Sequence, residues 1–365
     1  MKSIIDQALA RHKKEEEKGP SIPTDSPDDE ELKALVESLK VNIKIFGCGG
    51  GGSNTVARMN EEGIHGAELV AINTDAQHLL HIHAPKKILI GAKATKGLGA
   101  GALPQVGEQA AMEMEDRLRD EIDGAHVVFV TAGMGGGTGT GSASVIARMA
   151  KEEGALVMGV VTVPFKAEGN SRMQNAISGL NRLRAHTDTT VVIANDKLLE
   201  LVPRLPLNAA FKVADGVLME SIKGMTEIVT KPGLVNIDFN DMMTIMKGGG
   251  VAMIGIGSSE RAQDRVDEAI NEAINSPLLG NVDLSDAQGA LVRVVGGPDM
   301  TISEAQKAVE LVGSKINPGA RIIWGCSVED DLEGYIRVLL VITGVKSPMI
   351  QAEGHGGSDN INQVH

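Results

Sequence analysis

Aromatic residues are nearly absent: one Trp, one Tyr and five Phe in 365 residues. The core must therefore be built from Val, Ile, Leu, Ala and Met, and the sixteen methionines are most simply core filler. Cysteine is as scarce. Cys48 and Cys326 alone exclude a disulfide framework or a zinc ribbon and suit a reducing cytosol. Excess positive charge is missing too. A formal net charge of −13 argues against nucleic-acid and anionic-membrane binding, which draw on Lys and Arg. No run of about 18 apolar residues occurs and no secretory leader opens the chain. The expectation is a cytoplasmic protein with no direct membrane insertion. Also absent is Gly-x-x-x-x-Gly-Lys-Ser/Thr, so this is not a P-loop NTPase.

What is present points to ligand-binding turns on an α/β frame. Hydrophobic residues make up 42%, enough for two ordinary domains at this length. The forty-four glycines cluster in loops of fixed pattern rather than in a low-complexity tract. Residues 1–40 read as an extension, with a short docking helix capped at Ser26-Pro27-Asp28-Asp29. From Val41 to about Leu205, apolar strands alternate with amphipathic helices: Val41–Phe46, Glu68–Asn73, Lys87–Ile90, Val127–Thr131, Leu156–Val163 and Thr190–Ala194. Near-continuous apolar strands separated by helices imply a parallel sheet covered on both faces. Ligands of such sheets sit at the carboxyl ends of the strands. A long central helix follows, about Asn208 to Thr230 within 206–232, stopped by Lys231-Pro232-Gly233. Residues 233–346 read as a smaller α+β domain with strands Val251–Ile256, Ala290–Val295, Arg321–Cys326 and Tyr335–Thr343. Its helices lie near Ala262–Ile274 and after the capping pattern Thr301-x-x-Glu304. Residues 347–365 read as a disordered tail.

Two glycine loops carry the chemistry. Gly47-Cys48-Gly49-Gly50-Gly51-Gly52-Ser53-Asn54 joins a strand to a helix. Its backbone N–H groups and the helix dipole suit phosphate oxygens. The spacing Gly47-x-Gly49-x-x-Gly52 also fits a dinucleotide fingerprint, with Asp75 as a possible ribose acid, so an NAD(P)-dependent enzyme stays open at this loop. The second loop, Gly133-Met134-Gly135-Gly136-Gly137-Thr138-Gly139-Thr140-Gly141, favours another reading. A dinucleotide fold needs one such fingerprint, whereas two glycine loops at adjacent strand ends can grip a triphosphate from both sides.

The run Gly135 to Gly141 resembles the signature of the tubulin/FtsZ family. Further motifs match in order and spacing from about Val41 to Val345. They are Asn73-Thr74-Asp75, Gly97-Leu98-Gly99-Ala100-Gly101, Thr162-x-Pro164-Phe165-x-x-Glu168-Gly169-x-x-Arg172, Asn195-Asp196-Lys197-Leu198, Phe211-x-x-Ala214-Asp215 and Asn236-Ile237-Asp238-Phe239-Asn240-Asp241. Gly101-Ala102-Leu103-Pro104 resembles archaeal members, while Leu103 and Ala194 depart from the bacterial pattern.

The resemblance implies a Rossmann-like GTP-binding domain joined by the central helix to a smaller α+β domain. It also implies residue roles. Gly49, Gly50, Gly51, Gly52, Gly135, Gly136, Gly137, Thr138 and Gly139 belong to the phosphate loops, and Ala100 and Gly101 sense the γ-phosphate. Asn73, Asp75 and Pro164 sit in accessory loops, and Glu168 and Arg172 meet the ribose. Asn54, Asn195 and Asp215 recognise guanine, with Phe211 packed on it. GTP or GDP is then the ligand, with Mg²⁺ held through phosphates and water. Asn236, Asp238 and Asp241 form the catalytic loop, which acts on the nucleotide of the next subunit in a head-to-tail filament at the division site. Membrane adaptors or other division proteins are the implied partners, although the tail Asn360–His365 does not resemble the bacterial adaptor-binding peptide. A non-hydrolysing scaffold of the same family is the remaining alternative. Taken alone, Asp238 and Asp241 would read as a helix cap, and His78, His81 and His83 as solvated surface rather than a metal site.

Overall fold

The computed structural model describes residues 40–64, 66–201, 206–231, 233–235, 237–260, 264–279 and 283–345. The chain divides after Lys40 into two compact units, and the described elements belong to the second. The docking helix, the polar tail, Pro232 and Asn236 lie outside the described residues.

Ten strands build one sheet: β1 (Ile43–Cys48), β2 (Ala67–Asn73), β3 (Lys86–Leu89), β4 (Val127–Gly133), β5 (Leu156–Val163), β6 (Thr189–Ala194), β7 (Gly250–Ser259), β8 (Gly289–Gly296), β9 (Arg321–Val328) and β10 (Ile336–Thr343). The order is β3-β2-β1-β4-β5-β6-β7-β10-β8-β9. Its first six strands are parallel and follow the doubly wound order of nucleotide-binding folds. The order reverses between β1 and β4, which places the ligand crevice beyond their carboxyl ends. Both glycine loops lie there.

Twelve helices are seen among the described residues. The first six are α1 (Gly49–Glu61), α2 (Ala76–His81), α3 (Ala92–Thr95), α4 (Pro104–Met112), α5 (Glu115–Ile122) and α6 (Thr138–Glu152). They are followed by α7 (Asn170–Arg184), α8 (Asn195–Leu201), α9 (Leu207–Thr230), α10 (Phe239–Met246), α11 (Arg265–Ile274) and α12 (Ile302–Gly313). The period-2 alternation of β1 sends Ile43 and Ile45 into a core shared with α1, α9 and α10. Phe46 and Cys48 enter a second core with α4, α5, α6 and α7. Every residue of β5 is buried, as a strand covered on both faces requires. The cores are aliphatic: Phe46, Phe129 and Phe165 are the only aromatics among the largest fully buried side chains.

The smaller α+β portion is continuous with this sheet rather than separate from it. A parallel ladder of three residues, Thr189–Val191 against Gly250–Ala252, joins β6 to β7. Beyond it β10 runs antiparallel between β7 and β8. The central helix α9 binds both portions. Leu218, Ile222 and Met225 pack under the nucleotide-fold sheet, each contributing about 1.5–3 kcal/mol of apolar burial. At its far end Glu227 pairs with the buried Arg293 of β8 at 2.6 Å.

Candidate functional site

Helix α1 begins directly after β1 and α6 begins after the four-residue turn 134–137 that follows β4, and both begin unusually. Neither has a side-chain cap, and neither has an acid in its first turn. A helix N-terminus leaves N–H groups without internal acceptors, and these two first turns are rich in glycine. The loops touch backbone to backbone. Gly49 holds φ +70, and a Cβ there would fall 2.6 Å from the Gly139 nitrogen. Gly135 holds φ +103 with its Cβ position 2.8 Å from the Arg172 oxygen. Neither conformation admits a side chain without strain. Two bare helix dipoles thus converge on one spot, which suits an anion of high charge.

That spot is one end of a cavity of about 540 Å³. Gly50, Gly51, Gly136, Gly137, Thr138 and Gly139 line this end, with Ala100 and Gly101 beside them. Gly49, Gly52 and Gly135 stand behind the surface. The Gly135 N–H donates to Thr140 Oγ1 at 2.8 Å, and the Gly137 N–H to the Gly101 oxygen at 2.9 Å. These two amides therefore brace the loop. The Thr138 hydroxyl is 2.6 Å from that of the buried Thr74, which orients it. Positions Gly50, Gly101 and Gly136 face open space where a Cβ would stand.

The cavity wall continues through Pro164, Glu168 and Arg172. Glu168 accepts from the Phe165 N–H at 2.9 Å and pairs with Arg172 at 2.5 Å. The opposite end carries Asn54, Asn195, Phe211 and Asp215. Phe211 rests edge-on against buried Phe165, ring centroids 5.2 Å apart, and remains 38% exposed, a flat apolar platform. Asn195 is buried, and its Oδ1 finds no partner among the described residues. Burial pushes the Asp215 carboxyl up to about 6, with the Arg58 charge pulling partly the other way. An orphaned amide oxygen and a desolvated carboxylate beside an aromatic face await a flat, hydrogen-bonding base.

Asn73 and Asp75 line the wall between these ends, and so does His78. The surface reading of His78 is thus corrected: its ring lies between Asn54 and Asn73. His81 meets the Gln77 oxygen at 2.7 Å, and His83 is exposed. No cluster of three His, Cys, Asp or Glu side chains with metal-holding geometry exists among the described residues. Thr74 lay inside a motif read for its neighbours. His78 carried no sequence signal, since its spacing matched that of its two exposed companions. Cys48 ends β1, fully buried, with its thiol pushed up to about 12 by desolvation, so it is packing and not a reactive group.

Asp238 and Asp241 are not in the cavity. Asp238 caps α10 by accepting from the Asn240 N–H at 3.2 Å, and Asp241 lies exposed in the first turn. From Asp215 to the end of α9 the helix rises about 22 Å, and both aspartates lie beyond that end.

Comparison with known proteins agrees with this geometry. Residues 42–203 match the model of the Tubulin/FtsZ family, GTPase domain, and residues 250–346 that of the FtsZ family, C-terminal domain. Cell division protein FtsZ 1 of Archaeoglobus fulgidus is 54% identical over 353 residues, covering 96% of this chain and 95% of the relative. Cell division protein FtsZ of Haloferax mediterranei is 51% identical, with 100% of both chains covered. The solved FtsZ dimer of M. jannaschii superimposes with a TM-score of 0.83 at 53% identity, covering 87% of this chain and 92% of that one. The chain belongs to the tubulin/FtsZ family, as a GTPase with an FtsZ-type C-terminal domain.

Proposed function

We propose that this GTPase assembles head to tail into a filament of the cell-division machinery, each subunit completing the hydrolytic site of its neighbour. One observation carries the proposal: the cavity has a phosphate cradle and a base end but, among the described residues, no carboxylate free to direct water at the γ-phosphate. Asp75 caps α2 through the His78 N–H, Glu168 is paired with Arg172, and Asp215 belongs to the base end. The exposed Asp241 makes no side-chain hydrogen bond or ion pair to a described residue, and it stands at the other end of α9.

The reaction follows from this division of labour. The first-turn amides of α1 and α6 hold the α- and β-phosphates, and Ala100 and Gly101 meet the γ-phosphate. Asp215 accepts from guanine N1–H and N2–H, where adenine offers an acceptor instead, so ATP leaves that carboxylate unpaired. Asp238 and Asp241 of the adjoining subunit, with Asn236, orient and polarise the attacking water. Mg²⁺, when bound, neutralises charge on the transferring phosphate. A chain with no metal-binding side-chain cluster among the described residues suits a cation held by phosphate oxygens and water.

A contact between unlike faces does not close on itself and grows as a filament. The relatives named above are cell-division proteins, which supports action at the division site. No described helix is long and apolar enough to cross a membrane; adaptor proteins or other division proteins are the further partners of this reading. The test is GTP turnover per subunit against protein concentration. It should rise from near zero above a threshold concentration. A specific activity independent of concentration would overturn the shared site.

A further inference from the structure

His78 of α2 stands half-buried in the cavity wall with both ring nitrogens engaged. Nδ1 is 3.2 Å from Asn73 Nδ2, and Nε2 is 3.0 Å from Asn54 Oδ1. Its backbone N–H donates to Asp75 Oδ1 at 3.0 Å.

The proton positions follow by elimination. Asn73 Oδ1 accepts from the Thr74 N–H at 2.9 Å, with the Asp75 N–H 3.4 Å away. The other end of that amide is therefore its NH₂ group, which only donates, so His78 Nδ1 must accept. The ring proton then sits on Nε2 and is given to Asn54 Oδ1. With its oxygen engaged there, Asn54 has its NH₂ group left for the cavity.

We propose that His78, as the neutral Nε2–H tautomer, is a positioning residue that fixes the Asn54 amide with its donor toward the nucleoside. The relay runs from the backbone of the second loop (Thr74) through Asn73 and His78 to a residue of α1 that meets the ligand. It rests on the nucleotide reading of this cavity. Without His78 the Asn54 amide is free to rotate, and half of its orientations turn a carbonyl oxygen toward the ligand. A donor from Asn54 meets the acceptors that guanine offers, its O6 and its ring nitrogens, whereas adenine presents a donor in place of O6. His78 therefore supports the share of guanine recognition that Asn54 carries, beside Asp215 and Asn195.

The test is calorimetric titration of GDP and of ADP into the full chain. The proteins are wild type, His78→Leu, His78→Gln, Asn54→Ala and the combined His78→Leu, Asn54→Ala variant. His78→Leu should weaken GDP binding about three- to tenfold, the range of one neutral hydrogen bond. ADP, whose base lacks the O6 acceptor, should weaken no more than GDP does. His78→Gln, which keeps a donor and an acceptor, should recover most of the loss. In the Asn54→Ala background the second substitution should cost nothing further. Additive losses, or no recovery with Gln, would overturn the relay, because a merely structural His78 gives both. Failure of the wild-type chain to bind GDP would instead remove the nucleotide reading itself.

Discussion

Asp215 sits where burial works against its own charge, and that makes its role measurable. Only the ionised carboxylate accepts from guanine N1–H and N2–H together, and desolvation holds its pKa at about 6. GDP affinity should therefore be level well above that pH and fall roughly tenfold per unit below it. Asp215→Ala should lose about 2–3 kcal/mol of GTP binding and of the preference over ATP, and it should flatten the profile. An unchanged pH profile in that variant would remove Asp215 from the base site. The sign for stability is opposite. A carboxyl raised from 3.8 to about 6 makes the empty fold lose stability as pH rises across that interval, because the unfolded chain ionises first. Guanine bound as proposed would offset this loss. Asp215, Asn195 and Phe211 were legible because each stands inside a motif of several fixed residues. His78 was not, because what distinguishes it from His81 and His83 is only which way a six-residue helix turns it, and that is set by contacts with Asn54 and Asn73. Gly135 was legible as a loop residue, whereas Gly49 and Gly52, read as loop, stand in the first turn of α1. Which loop glycines touch a ligand and which touch each other depends on how β1 and β4 stand side by side.

Among elements, the two uncapped helices make the sharpest contrast. Gly49→Ala puts a side chain at φ +70 and 2.6 Å from a backbone nitrogen of α6. It should cost at least about 1–2 kcal/mol in urea unfolding, the left-handed penalty alone. Gly50→Ala meets nothing within 4 Å and adds a better helix former, so stability should hold or rise by up to about 1 kcal/mol. Its methyl group projects toward the phosphate end, so GTP affinity should fall all the same. A Gly50→Ala chain that bound GTP as tightly as the parent would argue against that cradle. The capping pattern read at Thr301 is a true capping box: Thr301 Oγ1 accepts from the Glu304 N–H, and Glu304 accepts from the Thr301 N–H. Its third member left no mark in the sequence. Arg265 of α11 reaches Glu304 at 2.6 Å and Asp299 at 2.5 Å, a join between helices distant in the chain. That guanidinium is the main reason the Glu304 carboxyl lies at about 2 rather than 4.5. A depressed carboxyl stabilises above 4.5 and loses that contribution as pH falls toward 2. Unfolding free energy over that range should fall less steeply for Glu304→Gln than for the parent. Strand readings stopped short at the glycines: β1 and β4 extend through Gly47-Cys48 and Gly133, which read as loop but pair in the ladder. The β6–β7 junction left no mark in the sequence, because three ladder pairs across some sixty residues of chain carry no local pattern.

For the whole molecule, the central question is how the proposed water-directing acids, Asp238 and Asp241, could serve a cavity at the opposite end of α9. The nucleotide cavity opens at the carboxyl ends of the parallel strands, while Asp238 and Asp241 stand past the far end of α9. On the proposed reading, an isolated subunit binds GTP but lacks the group that directs water, so hydrolysis waits for assembly. Asp241 tests this better than Asp238, whose carboxylate also caps α10 and whose loss would cost about 0.5–2 kcal/mol of fold stability. Asp241→Ala should bind GTP as the parent does, assemble at least as persistently, and turn over more slowly by about 10²-fold. The defect should lie in turnover and not in affinity, because positioning water matters in the transition state. A site shared between subunits makes a stronger demand. Gly136→Leu fills the phosphate end, where a Cβ meets nothing else, and so spoils the cavity while leaving α10 intact. Asp241→Ala spoils the opposite face while leaving the cavity intact. Each variant alone should be nearly inactive. Mixed, they should form some junctions in which the cavity of the Asp241→Ala subunit meets the intact Asp241 of the Gly136→Leu subunit. Turnover should then rise to an intermediate level, highest near equal proportions. If light scattering shows that the mixture co-assembles and turnover stays at the level of the separate variants, each subunit must hydrolyse GTP with its own residues.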